Sequence, residues 1–193
     1  MSLLDRYNKA IDSLGEVSEV VESITAKTTE LQQTVGMDFS KSNLQNSDLR
    51  EVRARDQKFN YCHLAGSDFS RSDLSGASFK CSNLANARFD GVNLTRAKLV
   101  KSHLRGASFQ DAVLDGTDFS YSDLSGVNFG GQRFRGTVFD YSGLKGTSFK
   151  NAVFENVSFK TDVRKALFEG AVMDKLTYAL KGFKANLAGV TVV

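Results

Sequence analysis

The chain of 193 residues contains no proline and no tryptophan, only two cysteines and two histidines, and no long apolar run. Two cysteines cannot knit a disulfide scaffold. No stretch approaches the roughly 20 apolar residues that span a bilayer. The opening MSLLDRYNKAIDSLGE has no signal-peptide-like apolar core, so a cytoplasmic protein is expected. Charge of one sign is also lacking: 25 Lys and Arg stand against 22 Asp and Glu, a net charge of +3. That balance announces neither a nucleic acid nor a membrane partner. The absence of proline, beside fifteen phenylalanines and no tryptophan, points to an unbroken, monotonous architecture. The length suits one domain with a sizeable core.

What is present is a repeat with a period of five. From Phe39 to Phe159 every fifth residue is Phe or Leu: of 25 positions, 13 are Phe, 11 are Leu, and Ala54 alone departs. Two residues before each stands a small or β-branched residue, as at Ser42, Ser47, Cys62, Ser67, Ser72, Ala77 and Val157, with Met37, Gln57 and Gln132 as exceptions. A mostly polar residue lies between the two. The fifth position is often Gly, as at Gly66, Gly76, Gly106, Gly116 and Gly126. Five matches neither the 3.6 of a helix nor the 2 of a flat strand. It is satisfied if each unit forms one short extended side followed by a corner. The small residue and the Phe or Leu, two apart, then share the inner face, and Gly tolerates the corner's backbone angles. Four sides would close a coil of 20 residues, and about six coils stacked near 4.8 Å would make a rod roughly 30 Å long.

The units Ser72-Asp73-Leu74-Ser75-Gly76, Ser82-Asn83-Leu84-Ala85-Asn86 and Ser122-Asp123-Leu124-Ser125-Gly126 resemble the pentapeptide-repeat proteins, whose consensus is approximately A-(D/N)-L-x-x. The resemblance covers residues 37–160 and implies a mainly β fold, a right-handed quadrilateral β-helix. Folding the sequence modulo 20 agrees with four sides. One column reads Phe39, Phe59, Phe79, Leu99, Phe119, Phe139, Phe159, and another is all Leu from Leu44 to Leu144. A third reads Leu49, Phe69, Phe89, Phe109, Phe129, Phe149, and the fourth Ala54, Leu74, Leu94, Leu114, Phe134, Phe154. At roughly 1.5–3 kcal/mol per buried side chain, these columns dominate folding.

Three segments are therefore expected: an N-terminal helical segment over 1–36, the rod over 37–162, and a C-terminal cap over 163–193. Open coil ends invite aggregation, so caps are required. Leu4, Tyr7, Ile11, Leu14, Val17, Val21, Ile24, Leu31 and Val35 recur at helical spacing. That segment either folds back across the first coil or projects as a coiled coil that makes an oligomer. At the other end the frame is lost at Thr161-Asp162-Val163-Arg164 and resumes one residue out of step at Ala166-Leu167-Phe168. A helix is expected over Met173–Phe183, with Met173, Leu176, Leu180 and Phe183 on one face, before a final strand at Val190-Thr191-Val192. Some members of the family dimerise through a C-terminal helix, so the resemblance makes this helix, like the N-terminal one, a candidate homodimer contact.

No residue pattern points to catalysis, a cofactor or a metal. His63 and His103 share an outward column but stand two coils apart, about 9.6 Å, with Asn83 between them. Cys62 points inward and Cys81 sits at a corner one coil on, directions that oppose a disulfide. No phosphate loop, paired-carboxylate pocket or nucleophile elbow occurs, and a core filled by Phe and Leu leaves no substrate cavity. Two surface features stand out. Tyr61, Lys101, Tyr121 and Tyr141 share one corner column, and Arg88, Arg96, Lys98, Lys101 and Arg105 form a basic belt around the middle coil. Exposed Tyr is enriched at protein interfaces, whereas a charge cluster of this size is usually just a solvated face, with nucleic-acid binding the lesser alternative. The expected function is a non-enzymatic protein–protein interaction or scaffolding module with an unidentified protein partner. The alternative implied by the resemblance is a DNA mimic that binds DNA gyrase or topoisomerase IV and confers fluoroquinolone resistance. Against it, residues 37–162 carry 17 basic and 14 acidic side chains.

Overall fold

A computed structural model describes Asp5, Lys9, residues 38–179 and residues 189–193. Asp5 and Lys9 are helical; the rest of the expected N-terminal helix, and residues 180–188 of the expected C-terminal one, lie outside the described residues.

The five-residue period becomes a corner every five residues. The backbone turns after each Phe or Leu, and at most corners the amide three residues on bonds back to its carbonyl, as in Ser82 N to Phe79 O (3.2 Å) and Ala97 N to Leu94 O (2.8 Å). At Val52, Cys62, Ser102 and Val157 it donates instead to a Ser or Thr hydroxyl one coil above. The third residue of each turn has positive φ, without exception, at all 24 corners from Lys41 (68°) to Asn156 (54°). These are type II turns, whose third position favours Gly or Asn. Fifteen of the corners nevertheless carry another side chain than Gly, including Tyr61, Arg71 and Lys101.

Between corners the chain is extended for too few residues to form long strands, and pairs in parallel with the coil above. Asp38 pairs with Lys58, Lys58 with Ser78, Ser78 with Lys98 and Lys98 with Asp118, each 20 residues on. Four such ladders run the length of the rod, one per side. We call the sides first to fourth, after Phe39, Leu44, Leu49 and Ala54. On the fourth side the ladder ends in β1 (Arg133–Arg135), β2 (Val153–Glu155), β3 (Val172–Met173) and β4 (Thr191–Val192), a parallel sheet in sequence order.

The inward columns make a dry core. Every Phe and Leu of the repeat from Phe39 to Phe159, and Ala54, is buried. Rings stack along the axis at the coil spacing: Phe59 on Phe79 at 4.9 Å and 8°, Phe69 on Phe89 at 5.3 Å and 1°. Across the rod the first-side and third-side columns meet edge to face, as Phe69 and Phe79 do at 5.6 Å and 83°. Both geometries suit the aromatic quadrupole. The small inner position carries a second function. Ser82 Oγ donates to the Phe59 carbonyl (2.6 Å) and accepts the Cys62 N–H (3.0 Å), and Thr137 Oγ1 donates to the Leu114 carbonyl (2.9 Å). Buried hydroxyls thus stitch successive coils and satisfy polar groups that water cannot reach. On the surface, Asn60 Oδ1 accepts from Ser78 Oγ (2.6 Å) and Lys80 N (3.0 Å), and Asp140 Oδ1 does the same with Ser158 Oγ (2.5 Å) and Lys160 N (3.0 Å).

The stacking passes through the break at residues 161–164. Val163 takes the place above Leu144, Phe168 stacks on Phe149 at 5.1 Å, and Val153 pairs with Val172, so the coil shortens to 19 residues. The expected helix over Met173–Phe183 needs correction. Met173 belongs to β3, is buried, and pairs with Phe154. The described helix, α1 (Lys175–Ala179), starts only after Asp174, whose carboxylate accepts the Thr177 N–H (2.7 Å) as an N-cap. Its inward residue is Thr177, bonded to Val157 N (3.0 Å), while Leu176 is exposed. The demand of the core column for a small residue outweighs the apolar helical stripe.

Candidate interaction surface

The corners set where outward side chains stand. In the column that follows the first side, Tyr61 N bonds to Lys80 O (2.9 Å), Cys81 N to Val100 O (2.9 Å), Lys101 N to Ser120 O (3.0 Å) and Tyr121 N to Asp140 O (2.9 Å). Each side chain in this column therefore leaves from a backbone fixed on both sides, at the pitch of the coils. Tyr121 and Tyr141 stack at 4.9 Å and 18°, and Lys101 Nζ lies 5.9 Å from the Tyr121 centroid, within reach of a cation–π attraction. Tyr61, Tyr121 and Tyr141 are all more than half exposed. Tyr61 stands apart from that stack, because the shorter Cys81 occupies the rung between it and Lys101. The gap is a shallow depression of ≈ 490 Å³ lined by Tyr61, Lys80, Cys81, Lys98, Val100, Lys101 and Asp118.

The basic belt does not converge. Arg88 lies on the third side, between Asp90 (3.1 Å) and Asp68 (3.8 Å), and Arg105 on the second side near Asp123 (3.9 Å). Arg96 occupies the corner before the first side. Only Lys98 and Lys101 join the tyrosine column, and the structure adds Lys80, which sequence reasoning passed over. Its signal was present in the modulo-20 columns, one rung above Asn60 and one below Val100.

Several carboxylates elsewhere on the rod are already engaged, among them Asp73, Asp90, Asp123 and Glu155. Burial raises the Asp123 carboxyl, but hydrogen bonds from Ser125 and the nearby Arg105 charge more than offset it, leaving it below the ordinary range. Arg135 and Arg133 hold Glu155 low in the same way. Burial pushes the Cys62 thiol up to about 11, which makes it a poor nucleophile. Cys62 and Cys81 are both free, the first buried and the second exposed. His63 and His103 both pair with Asn83, one on each side of it. Among the described residues no group of three His, Cys, Asp or Glu is placed to hold a metal ion, and no helix is long and apolar enough to cross a membrane. A second depression, ≈ 560 Å³, is floored by small residues such as Gly106, Ser108, Gly126 and Gly130.

The family model for pentapeptide repeats matches residues 58–96, 93–131 and 122–160. The chain belongs to the pentapeptide-repeat family. No curated protein matches it in sequence. Among solved structures of the family, a trypsin-treated variant of QnrB1, a plasmid-mediated fluoroquinolone resistance protein, is 18% identical over 82% of this chain and 92% of its own, with a TM-score of 0.54. A pentapeptide repeat protein of the Arabidopsis thaliana thylakoid lumen is 25% identical over 68% and 74%, with a TM-score of 0.41. HetL of Nostoc sp. strain PCC 7120, involved in heterocyst differentiation regulation, is 19% identical over 91% and 92%, with a TM-score of 0.34. The likeness to QnrB1 is one of fold: a pentapeptide-repeat β-helix solenoid.

Proposed function

We propose that this pentapeptide-repeat rod is a non-enzymatic protein–protein interaction module, working through the side chains of its outer columns. The observation that carries the reading is the Lys101–Tyr121–Tyr141 column: exposed, stacked, and held at fixed pitch over a core with no room for substrate. Rigid aromatic side chains provide contact area at little entropic cost on binding. A photo-crosslinking amino acid at position 141, expressed in the source cells, should give a discrete protein adduct. The same group at exposed Gln110, on the third side, should not. No adduct at 141, or the same adducts from both positions, overturns the reading.

The DNA-mimic reading has less support. A mimic of the duplex needs sustained negative columns, since B-DNA carries one charge per about 1.7 Å. Here carboxylates are interleaved with cations, as in Arg55–Asp73 (2.5 Å) and Arg135–Glu155 (2.8 Å). The expected outcome of a gyrase supercoiling assay, with and without a fluoroquinolone, is neither inhibition nor rescue by the protein.

A further inference from the structure

Cations on this rod divide by side. On the second, third and fourth sides most arginines are neutralised in place: Arg55 by Asp73, Arg88 by Asp90, Arg105 by Asp123, Arg135 by Glu155. The first side differs over three successive coils. Its nine outward positions there are residues 58, 60, 61, 78, 80, 81, 98, 100 and 101; four are lysines and none is acidic. Lys58, Lys80, Lys98 and Lys101 are all exposed, and none makes an ion pair among the described residues. The nearest carboxylates on this side close the patch at both ends: Asp38 one coil below Lys58, and Asp118 one coil above Lys98. Both are engaged locally, Asp38 by Ser40 N (2.9 Å) and Asp118 by Ser120 N (2.9 Å) and Ser120 Oγ (2.5 Å).

We infer that this patch is a docking site for a short acidic peptide segment of a partner protein, a reading that rests on the interaction-module function and names the chemistry of its partner. The charge is complementary, and the lysines forfeit no internal ion pair when they bind. The dimensions also fit. Lys58 and Lys98 are two coils apart, about 10 Å. An extended peptide rises about 3.3 Å per residue and turns every second side chain to the same face, so carboxylates two and four residues apart, about 7 and 13 Å, bracket the patch. The shallow depression at Cys81, between Tyr61 and Lys101 and with Asp118 at its upper edge, gives one uncharged partner side chain a seat with an aromatic wall. A nucleic acid fits less well, because its phosphates continue past three coils and would run against Asp38 or Asp118.

The test uses the full chain and a fluorescein-labelled octaglutamate peptide, read by fluorescence anisotropy at low salt. Saturable binding is expected, weakened about tenfold when Lys58, Lys80, Lys98 and Lys101 are all changed to Gln. It should be little changed by Arg55→Gln, Arg71→Gln, Arg133→Gln and Arg135→Gln together, which remove the same charge from other places on the rod. A second readout needs no variant. Cys62 is buried and Cys81 exposed, so N-ethylmaleimide reports on Cys81, and the peptide should slow its alkylation. Absence of saturable binding, equal weakening by both sets of substitutions, unprotected Cys81, or tighter binding of a mixed-sequence DNA duplex each overturns the inference. If the peptide fails while crosslinking at position 141 still captures a partner, the acidic-peptide site falls and the interaction module stands.

Discussion

Gly106 sits one coil above Asn86, whose amide oxygen fills the space that a Cβ on residue 106 would occupy. Gly126, the next corner in the same column, has nothing within 4 Å of such a Cβ, yet its φ of 75° is nearly the same as the 74° of Gly106. The pair therefore separates backbone strain from crowding. Gly126→Ala should cost only the left-handed backbone penalty, about 1–2 kcal/mol. Gly106→Ala should cost more, because the Asn86 carboxamide must also swing away. In an Asn86→Gly background the two substitutions should become equal in thermal melts. Equal costs in the parent chain would mean that the Asn86 side chain contributes nothing at that corner.

The core predicts a sharper loss. Leu104 lies in the all-Leu column and is fully buried, so Leu104→Asp places an unpaired carboxyl in a dry stack and should prevent soluble folding. A graded comparison comes from Phe149, which packs against Phe129, Phe134, Phe139, Phe154, Phe159 and Phe168. Phe149→Ala should cost about 3–5 kcal/mol. Phe149→Leu, which keeps an apolar side chain of the kind found in every coil, should cost clearly less in the same denaturant titration. A normal melt for the Leu104→Asp protein would refute the packed-column description.

Much of this fold could be read from residue types because each column demands one. The five-residue period located the inner face, and the shift to Ala166-Leu167-Phe168 announced the shortened coil that places Phe168 on Phe149. Where two periods competed, the reading failed: Met173 and Leu176 satisfy a helical stripe, but Met173 continues the column above Phe154 and Leu176 is left exposed. The corners were legible as corners, while the left-handed backbone of Tyr61 or Lys101 was not, since those residue types do not favour it. The candidate surface was legible only in part. Arg88, Arg105 and Lys98 look alike in the sequence; it takes the coil geometry to show that Asp90 and Asp123 lie beside the two arginines and that Lys98 faces Lys80 and Lys101 instead.

Acid should loosen the rod. Asp140 is raised by burial, but hydrogen bonds from Ser158 and Lys160 and the Lys160 charge outweigh this and hold it below its ordinary 3.8. Asp73 and Asp123 are likewise lowered, each against the effect of burial. A carboxyl whose folded value lies below its unfolded one stabilises the fold fully above the unfolded value, and that stability is lost as pH falls through the folded value. The melting temperature should therefore be flat in these groups above about pH 5 and fall below about pH 4. Asp140→Asn isolates one of them. Asn60 shows that an amide can accept the same pair of bonds one side chain would otherwise take as a carboxylate, from Ser78 Oγ and Lys80 N. The variant should thus melt within about 2 °C of the parent at neutral pH and lose stability less steeply in acid. A parallel acid slope in the two proteins would show that Asp140 holds no charge-dependent share of the stability.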